Sequence, residues 1–178
     1  MDDGALRRVL GRRRVQRASK RHSRTLARVH DQPSPTAIEE LARAVEAQIP
    51  FNRVLGLHLV DLSTAGARAT FDMRDELVGN TARGALHGGV ISATLDLIGG
   101  MAAMIAVADD PAADLVQRLK VLGTIDIRID YLRPGIGEHF EATGSILRSG
   151  RRVAVTRMEL HNDAGTLIAV GTGTYIIG

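Results

Sequence analysis

Residues 84–108 (GALHGGVISATLDLIGGMAAMIAVA) constrain this chain more than any other stretch. They carry one formal charge, Asp96. Val90, Ile91, Leu95, Leu97, Ile98, Met101, Met104 and Ile105 fall all round a helical wheel, and a helix that is apolar on every side is normally buried. A carboxylate in such a helix is unfavourable unless it is paired, hydrogen-bonded or put to use. At the N-terminal end stand His87, Gly88 and Gly89. Glycine lets a ligand approach the backbone closely, and the unpaired amides of a helix start attract negative charge. One end of this helix therefore suits a developing anion, and its middle holds an acid. Asp96 is either a structural acid satisfied by its neighbours or a functional one, and the preceding His-Gly-Gly favours function.

The run is long enough to span a bilayer, which takes ~20 apolar residues. Asp96 would then sit near mid-membrane, at about 2.5–3.5 kcal/mol on insertion scales. The glycines, Ser92 and Thr94 and the lack of a second such run fit a buried core helix instead, with no membrane span.

A chain of 178 residues with 44% hydrophobic content can bury one real core. Aromatic residues make up only 3%, which argues against the stacking platforms of nucleic-acid binders. There is no cysteine, hence no disulfide, no thiolate nucleophile and no cysteine metal site. The six histidines are scattered, with no pair at metal-ligand spacing, so neither a metal nor another cofactor is expected. A reducing cytoplasm is the simplest compartment. The net charge of +3 hides an asymmetry: residues 1–30 hold ten Lys/Arg and two Asp, a net +8, and the remainder carries −5. The basic character belongs to the first segment and not to the domain.

Taken in order, residues 1–33 are arginine-rich and poor in large apolar side chains, and read as a disordered or loosely helical extension. Adhesion to nucleic acid or an anionic membrane is the functional alternative, without sequence-specific nucleic-acid recognition. Asp2 and Asp3 count against a transit peptide. The domain runs over 34–178. Ser34-Pro35-Thr36 opens a helix with Thr36 and Glu39 as a capping box, Ile38, Leu41, Val45 and Ile49 repeat at helical spacing, and Pro50 ends it. Residues 55–62 and 65–73 read as two strands, and 74–83 as a polar loop. Asp109-Asp110-Pro111 breaks the long helix, and 112–121 is a short helix or an ordered loop. Ile125, Ile127, Ile129 and Tyr131 then alternate with Asp126, Arg128 and Asp130, the strongest strand signal in the chain. Pro134-Gly135 closes that strand. Residues 138–147, 151–161 and 166–177 follow as strands joined by tight turns. The small residues Ala169, Gly171 and Gly173 in the last suggest close packing on the helix. One antiparallel sheet of about six strands with the helix on its concave face satisfies this order. The sheet covers only one side of the helix, so a second copy of the chain is expected on the other.

These features resemble the hotdog-fold thioesterases, specifically the PaaI-like group of acyl-CoA thioesterases. The resemblance covers about residues 36–178. It is carried by Pro50-Phe51-Asn52 with Leu55-Gly56, by Gly79-Asn80 and Leu86-His87-Gly88-Gly89 with Asp96 nine residues after the histidine, and by Gly123-Thr124-Ile125-Asp126 leading to Asp130-Tyr131-Leu132-Arg133-Pro134-Gly135. It implies an α+β hotdog fold and hydrolysis of acyl-CoA, of the medium- or long-chain kind, by a homodimer or a dimer of dimers. It implies Asp96 as general base or nucleophile, Gly88 as the backbone amide that polarises the thioester carbonyl, and His87 as support for the loop or a thioester contact. Asn80 would orient water or substrate, with Gly89 and Thr81 beside the substrate. The chain departs from some members, which carry a glutamine at the place of Thr81 and a hydroxyl residue at the place of Gly100.

Elementary chemistry agrees. Thioester hydrolysis builds negative charge on a carbonyl oxygen, which preorganised amides stabilise. Arg148, Arg151 and Arg152 flank one hairpin, where they either hold the phosphates of coenzyme A or form a solvated charged turn. Two other readings share this fold. A hydratase or dehydratase needs a different His–acid pattern, and a non-catalytic acyl-CoA-binding or regulatory protein would bind without turnover.

Overall fold

The computed structural model describes residues 35–107 and 115–178. The basic segment 1–33, the cap at Thr36 and the break at Asp109-Asp110-Pro111 lie outside the described residues and side chains. Helix α1 (Pro35–Gln48) buries Leu41, Ala44 and Val45 and leaves Glu39 and Glu40 exposed, as its periodicity predicts. Pro50 does more than end it. The residue before a proline is pushed out of the helical region while the proline itself is set for a first turn. Ile49 is accordingly extended (φ −101°), and Pro50 opens a second short helix, α2 (Pro50–Leu55). That corrects the expectation of a strand from residue 55. Gly56, at φ +69°, closes α2 in the left-handed conformation that glycine adopts without strain. Buried Asn52 donates to the Val45 carbonyl at 3.3 Å and ties α2 back onto α1.

Strands β1 (His58–Ser63) and β2 (Gly66–Asp72) follow as a hairpin. The stretch expected as a polar loop contains a 3₁₀ turn (Asp75–Leu77) and strand β3 (Val78–Asn80), which pairs with β4 (Ala85–Leu86) just beyond it to form a two-stranded ribbon. Then come helix α3 (Gly88–Ile105), the short helix α4 (Leu115–Leu119), and β5 (Gly123–Tyr131), β6 (His139–Ser149), β7 (Val153–Asn162) and β8 (Leu167–Ile176). Six strands form one antiparallel sheet in the order β1-β2-β6-β7-β8-β5. A six-stranded sheet curled around one long helix is the α+β hotdog architecture.

Period-two burial places the core between sheet and helix. Ala67, Ala69 and Phe71 of β2, Phe140 and Ala142 of β6, and Met158 and Leu160 of β7 point inward. They meet Leu95, Ile98, Met101 and Ala102 of α3 in one cluster. Phe71 and Phe140, cross-strand partners, stack with centroids 5.1 Å apart. By length and composition α3 is apolar enough to cross a membrane, but twelve of its residues are buried within the protein's own core. Ser92, Ala93, Asp96 and Leu97 make the less buried stripe. The edge strand β5 departs from its clean alternation. The register shifts between Thr124 and Asp126, Ile125 and Tyr131 are each 54% exposed, and only Ile127 and Ile129 reach the core.

The glycine that lets the helix approach is not the expected one. A Cβ on Gly173 would collide at 2.7 Å with the ring of Tyr175 in its own strand. A Cβ on Gly144 of β6 would lie 2.6 Å from the Ile98 carbonyl oxygen of α3, so Gly144 sets the helix–sheet spacing. Gly144→Ala must push backbone from backbone, and overpacking of this kind destabilises by about 1–3 kcal/mol. Urea unfolding is expected to show a loss at the upper end of that range. Gly123→Ala, where a Cβ meets nothing within 4 Å, is the control and should change little; equal losses at the two positions would refute this account of the spacing.

Candidate active site

The start of α3 is built by glycines and one histidine. His87 is extended (φ −65°, ψ 136°) and caps the helix, its Nδ1 accepting the Gly89 N–H at 2.8 Å. An accepting Nδ1 carries no proton, so the neutral ring holds its proton on Nε2. The His87 N–H donates to the Leu77 carbonyl at 2.8 Å and the Val90 N–H to the His87 carbonyl at 2.9 Å. Among the described residues the Gly88 N–H has no acceptor. The Gly88 carbonyl is occupied, accepting from Ser92 Oγ and from the Tyr131 hydroxyl, each at 3.1 Å. The helix thus begins with one free donor on a fixed backbone, which is what an anion site requires.

Two further glycines hold that turn in place. A Cβ on Gly79 would lie 2.5 Å from the His87 Cα, so only glycine lets the β3–β4 ribbon abut the helix start. Gly135, beyond β5, accepts the Leu86 N–H at 2.9 Å and lies against the Leu86 side chain. Asn80 pairs with Ala85 in the ribbon, and the side chains of Asn80 and Thr81 are exposed beside the turn. The structure therefore sets His87, Gly88 and Gly89 at the start of α3, with Asn80 two residue positions back along the ribbon and Thr81 in the turn beyond it.

Asp96 lies further along the helix. Eight steps of ~1.5 Å put it roughly 12 Å from Gly88 along the axis. Its Oδ1 accepts from Thr124 Oγ1 at 2.9 Å and from the Tyr175 hydroxyl at 3.2 Å. Its Oδ2 has no partner among the described residues. Strand β5 runs past both ends of the site, with Thr124 at Asp96 and Tyr131 at Gly88.

Neither Thr124 nor Tyr175 was singled out as a site residue from sequence. Tyr175 is 1% exposed, and its phenol is pushed well above the ordinary tyrosine range. Burial is the main cause, the charge of Asp96 and the hydrogen bond to it add to it, and a bond with Thr156 opposes it. The only legible signals were the inward alternation of Gly171, Gly173 and Tyr175 and the glycine at position 99 of the helix. A Cβ on Gly99 would sit 2.5 Å from the Tyr175 hydroxyl.

The arginines are not brought to the carboxylate. Arg148, Arg151 and Arg152 are exposed at the β6–β7 turn and line a cavity of about 280 Å³ with Val153 and Val155. Ala154 pairs with Tyr175, so the cavity lies at the same end of the sheet as Asp96. Two histidines lie in strands away from the site: His139 of β6 meets Asp72 at 2.7 Å on the surface, and His58 of β1 is exposed.

Residues 83–169 match the model of a family described as the thioesterase superfamily. Over 137 residues the chain is 45% identical to the medium/long-chain acyl-CoA thioesterase YigI of Salmonella typhimurium, covering 73% of this chain and 86% of that protein. A crystal structure of a thioesterase-superfamily protein from Shewanella oneidensis superposes with a TM-score of 0.76 at 44% identity, over 81% of this chain and 99% of that one. The PaaI protein of Escherichia coli shares the fold, with a TM-score of 0.66 at 18% identity over 80% and 94% of the two chains.

The state of Tyr175 has a measurable consequence. In the unfolded chain its phenol ionises near the usual 10.0, and in the folded chain only at higher pH. The stability this contributes is full below about pH 10 and is lost as pH rises towards the folded value, because above pH 10 the unfolded state binds fewer protons. Wild type is therefore expected to lose unfolding free energy faster than Tyr175→Phe between about pH 9 and pH 11. A gap between the two proteins that stays constant over that interval in urea titrations would contradict the burial and pairing described for Tyr175.

Proposed function

The chain belongs to the thioesterase superfamily and is a thioester hydrolase, and from that premise we propose that it cleaves medium- or long-chain fatty acyl-CoA to the free acid and CoA. The observation that carries the site assignment is the pair of groups on one helix that have no partner among the described residues, the Gly88 N–H and Asp96 Oδ2. Hydrolysis needs a donor for the carbonyl oxygen and a base or nucleophile for the carbonyl carbon, and these two groups supply them. The acyl chain lies along the apolar helix. The name and 45% identity of the Salmonella relative support the medium- or long-chain class.

In the general-base form, Asp96 Oδ2 takes a proton from water as the oxygen attacks the carbonyl carbon. The carbonyl oxygen becomes an oxyanion on the Gly88 N–H. Collapse of the tetrahedral intermediate breaks the carbon–sulfur bond, and the departing thiolate receives the proton held by Asp96. In the nucleophilic form Oδ2 attacks directly and expels the thiolate, and water then hydrolyses the resulting anhydride. His87 acts through the backbone, fixing the turn that carries the free amide. Asn80 and Thr81 flank the carbonyl, and Gly89 leaves room for it. Coenzyme A brings phosphates, and the guanidiniums of Arg151 and Arg152, with Arg148, are suited to hold them.

The working site is split between two copies of the chain. A reacting carbonyl must lie about 3 Å from both its oxyanion donor and its attacking group. Two groups roughly 12 Å apart on one helix cannot both reach it. Two antiparallel copies side by side can, because the acid of one then lies beside the Gly88 amide of the other. The same pairing covers the less buried stripe of α3 that holds Asp96.

Asp96→Asn is expected to lower kcat at least a hundredfold with the fold retained, in line with general-base contributions of about 10²–10⁴. Subunit exchange between Asp96→Asn and Gly88→Val, each inactive alone, should restore one working site per mixed dimer. Wild-type turnover by Asp96→Asn would remove that residue from the mechanism. Mixed dimers that form and stay inactive, with Gly88→Val folded, would refute the split site. Replacing Arg151 and Arg152 together by Ala is expected to raise KM for acyl-CoA about tenfold and leave KM for the acyl-pantetheine thioester unchanged. Equal effects on the two substrates would show that the arginines do not read the phosphates.

A further inference from the structure

We propose that Tyr175 is a positioning residue for the reaction, holding the Asp96 carboxylate so that one oxygen is tied and the other is presented to the substrate. The inference rests on the reading of Asp96 as base or nucleophile. The tyrosine hydroxyl stands 3.2 Å from both the carbonyl oxygen and Oδ1 of Asp96. Thr124 Oγ1 donates to the same Oδ1 at 2.9 Å. Thr124 and Tyr175 are cross-strand partners on β5 and β8, so a rigid pair of neighbours grips one carboxylate oxygen. A single donor would leave the carboxylate free to rotate and to exchange its two oxygens. Two donors face Oδ1, and the single Tyr175 proton, shared at equal distance between Oδ1 and the Asp96 carbonyl, fixes the plane of the group and leaves Oδ2 as the reacting atom.

The surroundings are shaped around this hydroxyl. Gly99, one helical turn beyond Asp96, has no room for a side chain, since its Cβ would lie 2.5 Å from the Tyr175 hydroxyl and 2.9 Å from Thr156 Oγ1. Gly173 is kept bare by the ring itself. Two positions on two different elements therefore give up their side chains to one buried phenol. The backbone carbonyl of Asp96 alone would satisfy a purely structural tyrosine, and the equal distance to Oδ1 is what that account leaves unexplained. Burial and the neighbouring carboxylate also keep the phenol protonated, so it remains a donor wherever the enzyme works.

The test uses the full-length protein and dodecanoyl-CoA. Tyr175→Phe is expected to lower kcat about tenfold, because misplacing a catalytic group by even ~1 Å can lower the rate by about 10²-fold. KM, and the affinity for a non-hydrolysable thioether analogue, should stay within about twofold, since Tyr175 acts through Asp96 and not on the substrate. In parallel, 4-aminophenylalanine and 4-methylphenylalanine are incorporated at position 175. They are similar in size, and only the first keeps a donor. The donor-bearing side chain should restore most of the lost kcat relative to the methyl one at matched melting temperature, a comparison that holds even if Tyr175→Phe is poorly folded. Equal kcat for the two, or a folded Tyr175→Phe with wild-type kcat, overturns the proposal. Asp96→Asn is assayed alongside. Full turnover in that variant means the reading of Asp96 itself has failed, whereas an inactive Asp96→Asn beside an unimpaired Tyr175→Phe means that only the role of Tyr175 has.

Discussion

The structure depends on the accommodation of one carboxylate in an apolar helix. An acid among apolar side chains, without partners, would protonate or destabilise its helix. Asp96 is accommodated by two hydroxyls that approach from the sheet, Thr124 and Tyr175. Those hydroxyls reach it because the helix lies close on the sheet, and it lies close because Gly144 and Gly99 offer backbone where other residues would offer side chains. The polar network and the tight helix–sheet contact are thus one construction.

The same helix supplies the second chemical group without any charged side chain. Its first turn is fixed by the His87 cap and by the contact of Gly79 with His87, and the Gly88 amide has no acceptor among the described residues. Because the helix rises ~1.5 Å per residue, donor and acid are held apart as firmly as they are held in place. Rigidity within one chain is why the proposed mechanism calls on a second copy of the chain.

Several local features follow from residue chemistry that the sequence displays but does not rank. Pro50 ends one helix and begins another, since the steric rule for the preceding residue and the preference for a first turn act at the same proline. The alternation over 125–131 gives a true strand, but at a sheet edge and with a register shift, so Ile125 and Tyr131 are exposed where the pattern alone would bury them. Gly171 and Gly173 read as helix-facing because small residues in a strand usually admit a neighbour. In Gly173 the neighbour is Tyr175 of the same strand, and the helix-facing glycine is Gly144.

Sequence by itself determined the long apolar helix, its single acid, the glycine-flanked histidine at its start and the run of antiparallel strands after it, because periodicity, charge and turn residues are properties of neighbours in the chain. Those neighbours imply one antiparallel sheet of about six strands with the helix on its concave face, the hotdog identity following from the family resemblance, and they set His87, Gly88 and Gly89 side by side. The tertiary structure alone decided which hydroxyls meet Asp96. Thr124 is 28 residues away and Tyr175 is 79, and no spacing rule links them to the acid. Their meeting is fixed by the register of β5 against β8 and by the missing side chain at Gly99, quantities that exist only once the sheet has closed over the helix.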